Sequence, residues 1–504
     1  MYLPKILKTL SKTLADQHAK AIIVGGSVRD HFLGKPIKDY DIEVYGLESL
    51  KQLETILSKY GSVNLVGRSF GVLKFTHEGE EYDFSFPREE RKVDRGHRGF
   101  DVTTDGGLDY ETAARRRDFT INAIGYDVTS GVFIDPFGGM ADLEAGVLRH
   151  IDERTFVEDP LRVYRAVQFA ARFGMEVAPE TVKLCQQMVA EGMLDELPRE
   201  RVWEEWRKLL LKSPKPSIGF ELMRVWGITQ CYFPELHALI EIPQSPQWHP
   251  EGDVWIHTLL AVDAMQRELG IRNEELGIKE RQKLRFLLAI LCHDLGKATH
   301  TTIELEDGER YPWHEGGKEL YTKTVNPQSS ILHPPSSISH SPSLRIRAIG
   351  HEEAGVEPTR SLLYRLTQEH DLIESILPLV EHHLKPSQFY RNRARSKAIR
   401  KLATHVNIEE LVLVARADFL GRTTEEARSG EYPAGEWLLA QSQKLGVKEK
   451  PLDNLLQGRD LIDLGLEPSP RFKEILAEVY EEQIRGNVRD KSEAITFVKR
   501  KYAL

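Results

Sequence analysis

The sequence predicts an α+β fold, in which a small head with a mixed β-sheet is followed by an all-helical remainder. Short apolar runs bounded by glycine, such as residues 21–24, indicate strands near the start of the chain. Carboxylates alternate over residues 38–43 (Lys-Asp-Tyr-Asp-Ile-Glu), which matches the two-residue period of a strand. From about residue 155 onward, apolar residues recur at helical spacing. The strands are therefore expected in the head and the helices after it.

Length and composition indicate a soluble protein of several domains. The 504 residues exceed what one hydrophobic core organises, so three or four domains are expected. No apolar run approaches the roughly 20 residues that span a bilayer, and residues 1–12 lack a signal-peptide core. The net charge of −9 only weakly disfavours nucleic-acid binding, because a local basic groove can still bind phosphate. A reducing cytoplasm is favoured by three scattered cysteines, Cys185, Cys231 and Cys292.

The elements of the head follow from its periodicity and its turn residues. In chain order we expect a helix over 1–20, a strand over 21–24, a helix over 27–33, a strand over 39–44, a helix over about 47–60, and strands over 71–75 and 82–86. Gly34 and Pro36 end the second helix, and Gly79 separates the last two strands. The charged stretch 87–118 is expected to be a mobile loop, and residues 135–139 a turn that closes the head.

The remainder is predicted to be helical, with one irregular insertion. Helices are expected from about 155, over 197–211, over 218–226, over 284–291, and from about 351 to the end. Residues 300–345 have little periodicity and are rich in Ser, Pro, His and Thr, which indicates a surface insertion. The predicted divisions of the chain are 1–150, 151–240, 241–430 and 431–504.

The alternating carboxylates and the glycine turn before them indicate a site for metal ions and phosphate. Alternation on a strand puts Asp39 and Asp41 on one face. Two such carboxylates can bind hard cations such as Mg²⁺ through oxygen. Gly25 and Gly26 form a turn into a helix, where backbone N–H groups can face a phosphate. Metal ions beside a phosphate cradle favour nucleotidyl transfer.

Several motifs occur in an order that is typical of one enzyme family. They are Gly-Gly-x-Val-Arg-Asp at 25–30, Asp-x-Asp at 39–41, Arg-Arg-Asp-Phe-Thr-Ile-Asn-Ala at 116–123 and Glu-Asp-Pro-Leu-Arg at 158–162. In this order they resemble the class II tRNA nucleotidyltransferases, the CCA-adding enzymes, whose close relatives include bacterial poly(A) polymerases. The resemblance implies a nucleotidyltransferase head over 1–150 and a helical neck over 151–240 that recognises the nucleotide base.

The resemblance implies that the head carboxylates perform the chemistry. Asp39 and Asp41 would hold two Mg²⁺ ions, which activate the 3′ hydroxyl of tRNA and neutralise the leaving pyrophosphate. Asp83 lies on another predicted strand and would orient that hydroxyl or hold one ion. Glu43 continues the alternation, but we interpret it as a solvated residue of an edge strand.

Three further head residues are implied to bind the nucleotide. Gly26 would let the backbone approach the triphosphate, and Arg29 would supply positive charge. Arg117 matches the arginine of a family motif that contacts the nucleotide. The expected cofactor of the head is therefore Mg²⁺, and the expected substrates are tRNA, CTP and ATP.

Addition of a defined sequence without a template requires side chains that select the base. Aspartate accepts hydrogen bonds and arginine donates them, so an Asp-x-x-Arg pair across one helix turn can contact a Watson–Crick edge. The resemblance implies this role for Asp159 and Arg162, joined by Arg165 one turn further on. Within the family, a shortened loop is associated with enzymes that add only C residues, so the resemblance and the full-length loop 87–105 weakly favour addition of the complete CCA sequence.

A second constellation lies in the helical remainder. His257, the pair His293-Asp294 and Asp418 have the order and separation of an HD phosphohydrolase site. Imidazole and carboxylate ligands suit a divalent transition metal such as Ni²⁺, or Mg²⁺. A bound metal lowers the pKa of water, which can then attack a phosphate ester.

The runs at 247–251, 293–297, 350–352 and 417–418 resemble the HD domain of multifunctional CCA enzymes. This resemblance implies 2′,3′-cyclic phosphodiesterase, 2′-nucleotidase and phosphatase activities for residues 241–430. Further ligands or phosphate-binding groups are expected among three histidines, His351, His382 and His383.

The tail, residues 431–504, is expected to be helical and to contact tRNA. Residues 458–470 resemble the family's tail segment and predict a helix pair that recognises tRNA by shape. The basic stretch 389–401 is either an RNA contact or a solvated helix face.

Three alternatives remain open from the residues. A poly(A) polymerase shares the motif at 116–120, although the intact HD residues and the lack of a strongly basic tail disfavour it. A partial enzyme would add only C or only A and carry a degenerate HD domain. A non-catalytic tRNA-binding scaffold is disfavoured by the complete carboxylates at 39, 41, 294 and 418. The oligomeric state stays open between a monomer and a homodimer.

Overall fold

The computed structural model describes residues 1–66, 71–92, 100–104, 106–325 and 344–503. The chain divides into two compact units, Met1–Tyr232 and Phe233–Leu504. The first unit contains a seven-stranded sheet and helices, whereas the second is mostly helical. The predicted α+β class, with its strands concentrated in the head, is therefore confirmed.

The first unit begins with alternating helices and strands. Its helices are α1 (Lys5–Ala15), α2 (Gly26–Phe32), α3 (Leu50–Leu57), α4 (Tyr110–Ala114), α5 (Gly139–Ala145), α6 (Glu153–Phe156), α7 (Leu161–Phe173), α8 (Pro179–Ala190), α9 (Arg199–Lys212), α10 (Pro216–Val225) and α11 (Ile228–Tyr232). Its strands are β1 (Lys20–Val24), β2 (Tyr40–Tyr45), β3 (Ser62–Val66), β4 (Val72–His77), β5 (Glu80–Ser85), β6 (Arg88–Lys92), β7 (Phe100–Thr104), β8 (Gly125–Asp127), β9 (Phe133–Ile134), β10 (Val147–Leu148) and β11 (Glu176–Val177). Short 3₁₀ turns cover Thr120–Asn122 and Met193–Glu196.

The head sheet is mixed, as predicted. Its strand order is β3-β4-β5-β2-β1-β8-β9. Strands β2 and β5 are parallel, and the other neighbouring strands of this sheet are antiparallel. Helix α1 covers the sheet because its apolar residues recur at helical spacing, so that one face can be buried. Leu10 and Leu14 of α1 share a core with Ile23, Ile42 and Phe84 of the sheet.

A paired hairpin lies where the sequence predicts a loop. Residues Arg88–Lys92 pair in antiparallel register with Phe100–Thr104, and Asp109 caps helix α4 through the amide of Thr112. The prediction of an irregular segment over 87–118 is therefore wrong for these residues, while 93–99 and 105 lie outside the described residues. All five residues of the first strand are charged, so it gives no apolar alternation by which to recognise it.

Helices follow the head within the same unit. Helix α7 packs against α9 and α10, and buries Val163, Ala166, Val167 and Ala170. Gly174 ends α7 in a left-handed conformation with φ of 66°, as glycine commonly does at this position. The helices predicted over 197–211 and 218–226 agree with α9 and α10. A short parallel pair, β10 with β11, interrupts this otherwise helical region.

The second unit is built mainly from helices. They are α12 (Pro234–His237), α13 (Val254–Leu276), α14 (Glu280–Cys292), α15 (Lys297–His300), α16 (Lys318–Val325), α17 (His351–Ala354), α18 (Val356–Leu366), α19 (His370–Glu381), α20 (Lys385–Arg391), α21 (Ser396–Ala403), α22 (Ile408–Gly421), α23 (Glu425–Arg428), α24 (Pro433–Lys444), α25 (Gly458–Asp463), α26 (Arg471–Arg485) and α27 (Lys491–Tyr502). Its strands are β12 (Thr302–Leu305), β13 (Arg310–Pro312) and β14 (Leu344–Arg347).

The centre of the second unit is formed by α13, α14 and α22, which pack against one another. Residues 286–298 are buried without interruption, so the end of α14 and the turn after it lie in the interior. A helix that is apolar on every side belongs in a core. This run therefore carries the polar pair His293-Asp294 into a buried position.

The insertion over 300–345 is partly regular. Strand β12 pairs with both β13 and β14 to form a three-stranded antiparallel sheet, and the Trp313 side chain is buried. The insertion is therefore not wholly irregular, and the remainder of the chain is not wholly helical, because it contains this sheet. Residues 326–343 lie outside the described residues.

The tail forms a small core of its own. Leu461, Ile475, Val479, Ala494 and Val498 are buried together across α25, α26 and α27. The three cysteines are free, with Cys231 exposed and the other two buried. None of the helices in the described ranges combines the length and the apolar character needed to cross a bilayer.

Candidate active site and metal centre

The parallel register of the head sheet brings two of the predicted carboxylates side by side. Asp41 on β2 is the direct partner of Asp83 on β5, and on its other side Asp41 pairs with Val24, just before the glycine turn. Buried Ile42 and Phe84 alternate with these acids. Directly paired residues of neighbouring strands share a face of the sheet, so the acids lie on the face opposite to those apolar side chains.

Negative charge is concentrated around Asp41. Its side chain is exposed, yet the protein atoms around its carboxyl remove enough water to raise its pKa. The carboxylates of Asp83, Asp39 and Glu43 raise this pKa further, while Arg117 opposes them. Asp39 is exposed directly before β2. A group of oxygen donors that repel one another is the arrangement that a hard divalent cation relieves.

The glycine turn lies against these groups. Gly25 has φ of 71°, a value that non-glycine residues rarely adopt. A Cβ atom at this position would lie 3.3 Å from Arg117 Nη1 and 3.7 Å from Asp41 Oδ2. Gly26 is the first residue of α2. The backbone conformation therefore favours glycine at position 25, in a turn that lies directly against Arg117 and Asp41.

Glu43 holds Arg117 in place. Arg117 Nη2 donates to Glu43 Oε1 at 2.7 Å, and the Tyr45 hydroxyl donates to Glu43 Oε2 at 2.6 Å. Although burial alone would lower the pKa of Arg117, the charge of Glu43 raises it. The interpretation of Glu43 as a solvated edge-strand residue is wrong, because β2 lies between β5 and β1 in the sheet.

Arg29 lies in a buried network. Its side chain donates to Asp30 Oδ1 at 2.7 Å and to Asn122 Oδ1 at 2.7 Å, and its guanidinium lies 4.6 Å from the centre of the Phe173 ring. The residue is only 5% exposed. The structure thus engages Arg29 in contacts between α2, the 118–122 motif and α7, whereas the sequence predicts a contact with phosphate.

Asp118 connects that motif to helix α7. Its Oδ2 accepts a hydrogen bond from Arg165 Nε at 2.7 Å, and its Oδ1 accepts one from Asn122 at 2.9 Å. Burial acts to raise the pKa of Asp118, but Arg165, Asn122 and Arg162 together hold it below its usual value. Arg165, which the sequence groups with the base-selecting residues, is thus an ion-pair partner of Asp118.

Asp159 and Arg162 lie near each other but do not form the local ion pair that their spacing permits. Asp159 Oδ2 accepts from Arg201 Nη2 at 2.9 Å. Arg162 donates to the backbone carbonyls of Thr155 and Arg116, at 2.6 Å in each case. The sequence did not single out Arg201, because it lies 42 positions from Asp159 and no local spacing connects them.

In the second unit, several helices bring their polar residues to one buried point. The cluster comprises His257 from α13, His293 and Asp294 after α14, His351 at the start of α17, His383 after α19 and Asp418 from α22. Each of these residues is at most 5% exposed. The structure therefore brings together all four of the main HD residues and two of the three additional histidines.

The four main residues lie within short distances of one another. His257 Nε2 is 3.0 Å from Asp418 Oδ1 and 4.0 Å from Asp294 Oδ2. His293 Nε2 is 3.3 Å from Asp294 Oδ2 and 3.9 Å from Asp418 Oδ1. Two imidazoles and two carboxylates at these separations form a donor set that suits a divalent transition metal.

The imidazoles are oriented for metal binding. In His293, His351 and His383, Nδ1 lies 2.7, 2.6 and 2.7 Å from the backbone carbonyl three residues earlier. Because a carbonyl only accepts, Nδ1 carries the proton and Nε2 keeps its lone pair. Each of these buried Nε2 atoms makes no hydrogen bond among the described residues. A hydrogen bond that fixes the nitrogen not bound to metal, here Nδ1, is how proteins orient histidine ligands.

Glu251 performs the same function for His257. Its Oε1 lies 2.8 Å from His257 Nδ1 and 2.9 Å from His249 Nδ1, and its Oε2 accepts from the amide of Thr423 at 3.1 Å. His249, Glu251 and His257 also lie close enough to hold a metal. The Nδ1 atoms of both histidines are already hydrogen-bonded to Glu251, however. We therefore interpret Glu251 as the carboxylate that orients the His257 ring.

The pKa shifts of the two aspartates and of His383 favour the protonation states of metal ligands, whereas Asp418 and Glu251 raise the pKa of His257 against the effect of burial. Burial acts to raise the pKa values of Asp294 and Asp418, but neighbouring groups hold both well below the usual range: chiefly His293 and Lys297 for Asp294, and Arg422 for Asp418. Metal binding requires ionised carboxylates and neutral imidazoles. For a further histidine of the cluster, His383, burial lowers the pKa to about 3.

Two cations lie beside the cluster. Lys297 Nζ donates to Asp294 Oδ2 and to Gln244 Oε1, at 2.6 Å each. Arg422 Nη2 lies 3.3 Å from both oxygens of Asp418. Sequence reasoning missed both cations, although each had a local signal. Lys297 ends the run at 293–297, and Arg422 follows Asp418 by one helical turn.

His382 lies apart from the cluster. Its ring is 5.7 Å from that of His405, and it belongs to none of the three candidate metal-binding groups among the described residues. Adjacent residues at a helix end point in different directions, so His382 and His383 cannot face the same point. Of the three additional histidines, the structure therefore brings His351 and His383 to the cluster but not His382.

Two family profiles match the chain. The profile described as the Poly A polymerase head domain matches residues 21–149. The profile described as the probable RNA and SrmB-binding site of polymerase A matches residues 174–240. The first match contains the whole carboxylate site, and the second follows α7.

Solved structures define the fold class. A CCA-adding enzyme from Bacillus stearothermophilus in complex with CTP aligns with a TM-score of 0.60 and 20% identity, over 99% of this chain and 97% of that one. A Thermotoga maritima CCA-adding enzyme complexed with tRNA aligns with a TM-score of 0.57 and 20% identity, over 99% and 96%. The fold is therefore that of the CCA-adding enzymes.

Curated relatives define the family more narrowly. Each is called a multifunctional CCA protein. The relative from Acinetobacter baumannii is 32% identical over 467 residues, covering 90% of this chain and 97% of its own length. Matches from Nitrosospira multiformis (40% identity) and Neisseria gonorrhoeae (42%) cover 61% and 55% of this chain and 67% and 62% of those proteins. The chain belongs to the multifunctional CCA protein family.

Proposed function

We propose that the first unit adds and repairs the 3′-terminal CCA of tRNA, using CTP and ATP without a nucleic-acid template. The observation that carries this proposal is the parallel pairing of Asp41 with Asp83, beside Asp39 and the glycine turn. Relatives named multifunctional CCA proteins support it. Further support comes from solved neighbours in the fold that contain CTP, ATP or a tRNA.

The carboxylates would form the catalytic group. Asp39 and Asp41 offer oxygen donors only, which is the ligand type that Mg²⁺ prefers. Bound Mg²⁺ supplies Lewis acidity at the 3′ hydroxyl and neutralises triphosphate charge. Asp83 lies beside Asp41 in register, where it would orient the hydroxyl or share an ion.

The nucleotide would lie against the glycine turn. Gly25 places the turn next to Arg117, Gly26 would let the backbone approach the triphosphate, and Glu43 keeps that guanidinium in position. Arg29 would act here by positioning the turn and Asn122, since its donors are already engaged.

Base selection is assigned to the start of α7. Asp159 is partly exposed and retains acceptor capacity beyond its bond to Arg201. Arg162 is held by two backbone carbonyls, and Arg165 by Asp118, which fixes the helix against the head motif. These contacts favour a rigid template that presents one acceptor and one donor to a base edge.

The product ladder on a tRNA that lacks its 3′ end tests this function. Separate reactions contain CTP alone, ATP alone, or both nucleotides. We expect two C residues with CTP alone and three added residues with both. Long A tails with ATP alone would instead identify a poly(A) polymerase, and addition that stops at C or requires pre-existing C residues would identify a partial enzyme.

We further propose that the second unit is a metal-dependent phosphohydrolase acting on 2′,3′-cyclic phosphates, 2′-nucleotides and phosphomonoesters. The observation that favours it is the buried cluster in which the Nε2 atoms of His293, His351 and His383 make no hydrogen bond among the described residues. His257, His293, Asp294 and Asp418 are the proposed ligands. A bound transition metal ion, or Mg²⁺, would polarise the phosphate ester. Lys297 and Arg422 balance the carboxylate charge and would add positive charge near the phosphate.

Hydrolysis of 2′,3′-cyclic AMP tests the second function. We expect activity in protein loaded with Ni²⁺, loss after chelation, and recovery when metal is returned. The His257→Gln variant should remain at the level of the chelated protein. Full hydrolysis by thoroughly chelated protein would contradict a metal-dependent site.

We assign the proposed functions to four regions of the chain according to where these sites lie. The nucleotidyltransferase head covers 1–150, the base-recognising neck 151–240, the hydrolase 241–430, and a tRNA-contacting tail 431–504. Buried side chains shared by α25, α26 and α27 give the tail a core of its own, which supports separating it from the hydrolase.

A further inference from the structure

We propose that Lys74 binds the backbone phosphate on the 5′ side of the 3′-terminal nucleotide of tRNA, and so guides the attacking hydroxyl to the carboxylates of the head. This inference rests on the CCA addition proposed above for the first unit. It adds a binding residue for the tRNA end to a site whose proposed contacts, apart from that of Asp83, concern the metal ions and the incoming nucleotide.

The pairing of the head strands places Lys74 in one row with the carboxylates. Lys74 on β4 is the direct partner of Asp83 on β5, which in turn pairs with Asp41 on β2. On its other side, Lys74 pairs with Asn64 of β3. Directly paired residues share a face of the sheet, and successive side chains alternate between faces. These four polar side chains therefore lie on the face opposite to the buried side chain of Leu73.

The two sides of this row suit the two ends of the reaction. The glycine turn follows β1 and lies beside Asp41 and Arg117, where the triphosphate is proposed to bind. In a phosphoryl transfer, the attacking and the leaving oxygens lie roughly in line on opposite sides of the phosphorus. Because the leaving pyrophosphate belongs to the side of the turn, the 3′ hydroxyl of tRNA arrives from the side of β5 and β4, which carries Asp83 and Lys74.

The spacing of the strands places Lys74 within reach of the terminal nucleotide. Neighbouring strands are about 4.8 Å apart, so Lys74 stands one strand beyond Asp83 and two beyond Asp41. The metal ions and the triphosphate take the Asp41 side of a hydroxyl held at Asp83. The rest of the terminal nucleotide, including its phosphate, therefore extends over β4, where the long and flexible stem of a lysine can follow it.

Lys74 is both charged and available for such a contact. Its Nζ lies 2.8 Å from Glu81 Oε2, and the two side chains are 39% and 57% exposed. Exposed ion pairs contribute little to stability, so the ammonium can exchange this carboxylate for a phosphate. The hydrogen bond to Glu81 and the charge of that carboxylate raise the pKa of Lys74, and the charges of Asp83 and Asp39 raise it further. The ammonium group is therefore protonated at neutral pH.

Addition of CTP to two tRNAs by the full-length chain tests this contact. Both tRNAs lack the 3′ end, and in one of them the phosphate on the 5′ side of the terminal nucleotide is replaced by an uncharged methylphosphonate. The enzymes are the wild type, Lys74→Met, which keeps a long stem without charge, and Lys74→Arg, which keeps the charge. Lys51→Met is the control, because Lys51 is exposed on α3, a helix that packs against the apolar face of the sheet. Thermal melting shows that each variant is folded.

We expect Lys74→Met to raise KM for the unmodified tRNA about 10-fold without changing KM for CTP. Lys74→Arg should restore most of this loss, and Lys51→Met should match the wild type. The methylphosphonate should raise KM for tRNA by a similar factor in the wild type, a result that needs no variant. It should have no further effect in Lys74→Met, because the two changes remove the same contact.

Three results would overturn the contact and leave CCA addition standing. They are unchanged kinetics in Lys74→Met, a rise in KM for CTP in place of KM for tRNA, and effects of the variant and of the methylphosphonate that multiply independently. No addition by the wild type would overturn both proposals.

Discussion

Glu43 and Arg117 show how one ion pair can set the geometry of a site without contacting the reacting atoms. Their contact at 2.7 Å is half-buried, and the Tyr45 hydroxyl holds the other carboxylate oxygen. The guanidinium is thereby kept beside the glycine turn and Asp41. A group that is fixed before substrate binds need not be ordered during the reaction.

Removing the charge of Glu43 should therefore weaken catalysis while leaving the fold intact. In Glu43→Gln, the amide can keep the bond to Tyr45 but no longer pairs with Arg117. We expect kcat for nucleotide addition to fall by about 10- to 100-fold, the cost of a small misplacement, and KM for CTP to rise. Steady-state kinetics check this, with Glu54→Gln on the exposed side of α3 as the control. Unchanged kinetics would contradict a positioning role.

Three histidines of the second unit are likewise fixed in place by neighbouring groups before any ligand binds. In His293, His351 and His383, a backbone carbonyl three residues back determines which nitrogen carries the proton. The sequence contains the histidines, but the carbonyls are set by helix ends that a spacing pattern does not reveal. It therefore grouped His382 with His383, although only His383 points at the cluster.

At the scale of elements, helix α7 is attached to the head by charge as well as by packing. Arg165 pairs with Asp118, and Arg29 lies over Phe173 at the end of the same helix. The sequence predicted both the motif and the helix, since each has a local pattern. It did not show the pairs between them, because these join residues far apart in the chain.

Asp118→Asn should destabilise the first unit. The variant removes the nearer charged partner of Arg165 and leaves only the carboxylate of Glu205, at 4.0 Å, so we expect a loss of roughly 2–3 kcal/mol at pH 7. This is less than the 3–5 kcal/mol of a fully buried pair, because Arg165 is partly exposed. Chemical denaturation of the wild type and the variant measures the difference, with Asp16→Asn, an exposed carboxylate after α1, as the control.

The same pair predicts a pH dependence. Because the folded state lowers the pKa of Asp118, its stabilisation is complete above the ordinary carboxyl pKa of about 4. It is lost progressively as pH falls from that value through the lowered pKa of the folded state. The stability difference between wild type and Asp118→Asn should thus be constant from pH 7 to pH 5 and shrink at more acidic pH. A difference that grows on acidification would contradict this account.

Two elements of the fold could not be predicted, for physical reasons. Strand β6 is Arg-Glu-Glu-Arg-Lys, whose pairing with β7 depends on backbone hydrogen bonds without an apolar face. Strands β12, β13 and β14 are short, and the segment that separates β14 from its partner is long and irregular in composition. By contrast, α1, β1 and α14 have clear periodicity or continuous apolar runs and were predicted.

At the scale of the whole molecule, each proposed centre lies within one compact unit. The carboxylates of the head belong to Met1–Tyr232, and the histidine cluster belongs to Phe233–Leu504. The sequence could suggest both centres because their residue types are distinctive. It could not supply the sheet order that makes β2 internal, or the Arg201 partner of Asp159.

The central claim is that one chain carries two separate activities, and a crossed comparison of variants tests it most directly. The Asp39→Asn/Asp41→Asn protein and the His293→Gln protein are assayed for CCA addition and for 2′,3′-cyclic AMP hydrolysis. We predict that the first loses addition by at least about 10²-fold and keeps hydrolysis, whereas the second loses hydrolysis and keeps addition. Full addition by the double variant, or equal loss of both activities in His293→Gln, would contradict the account.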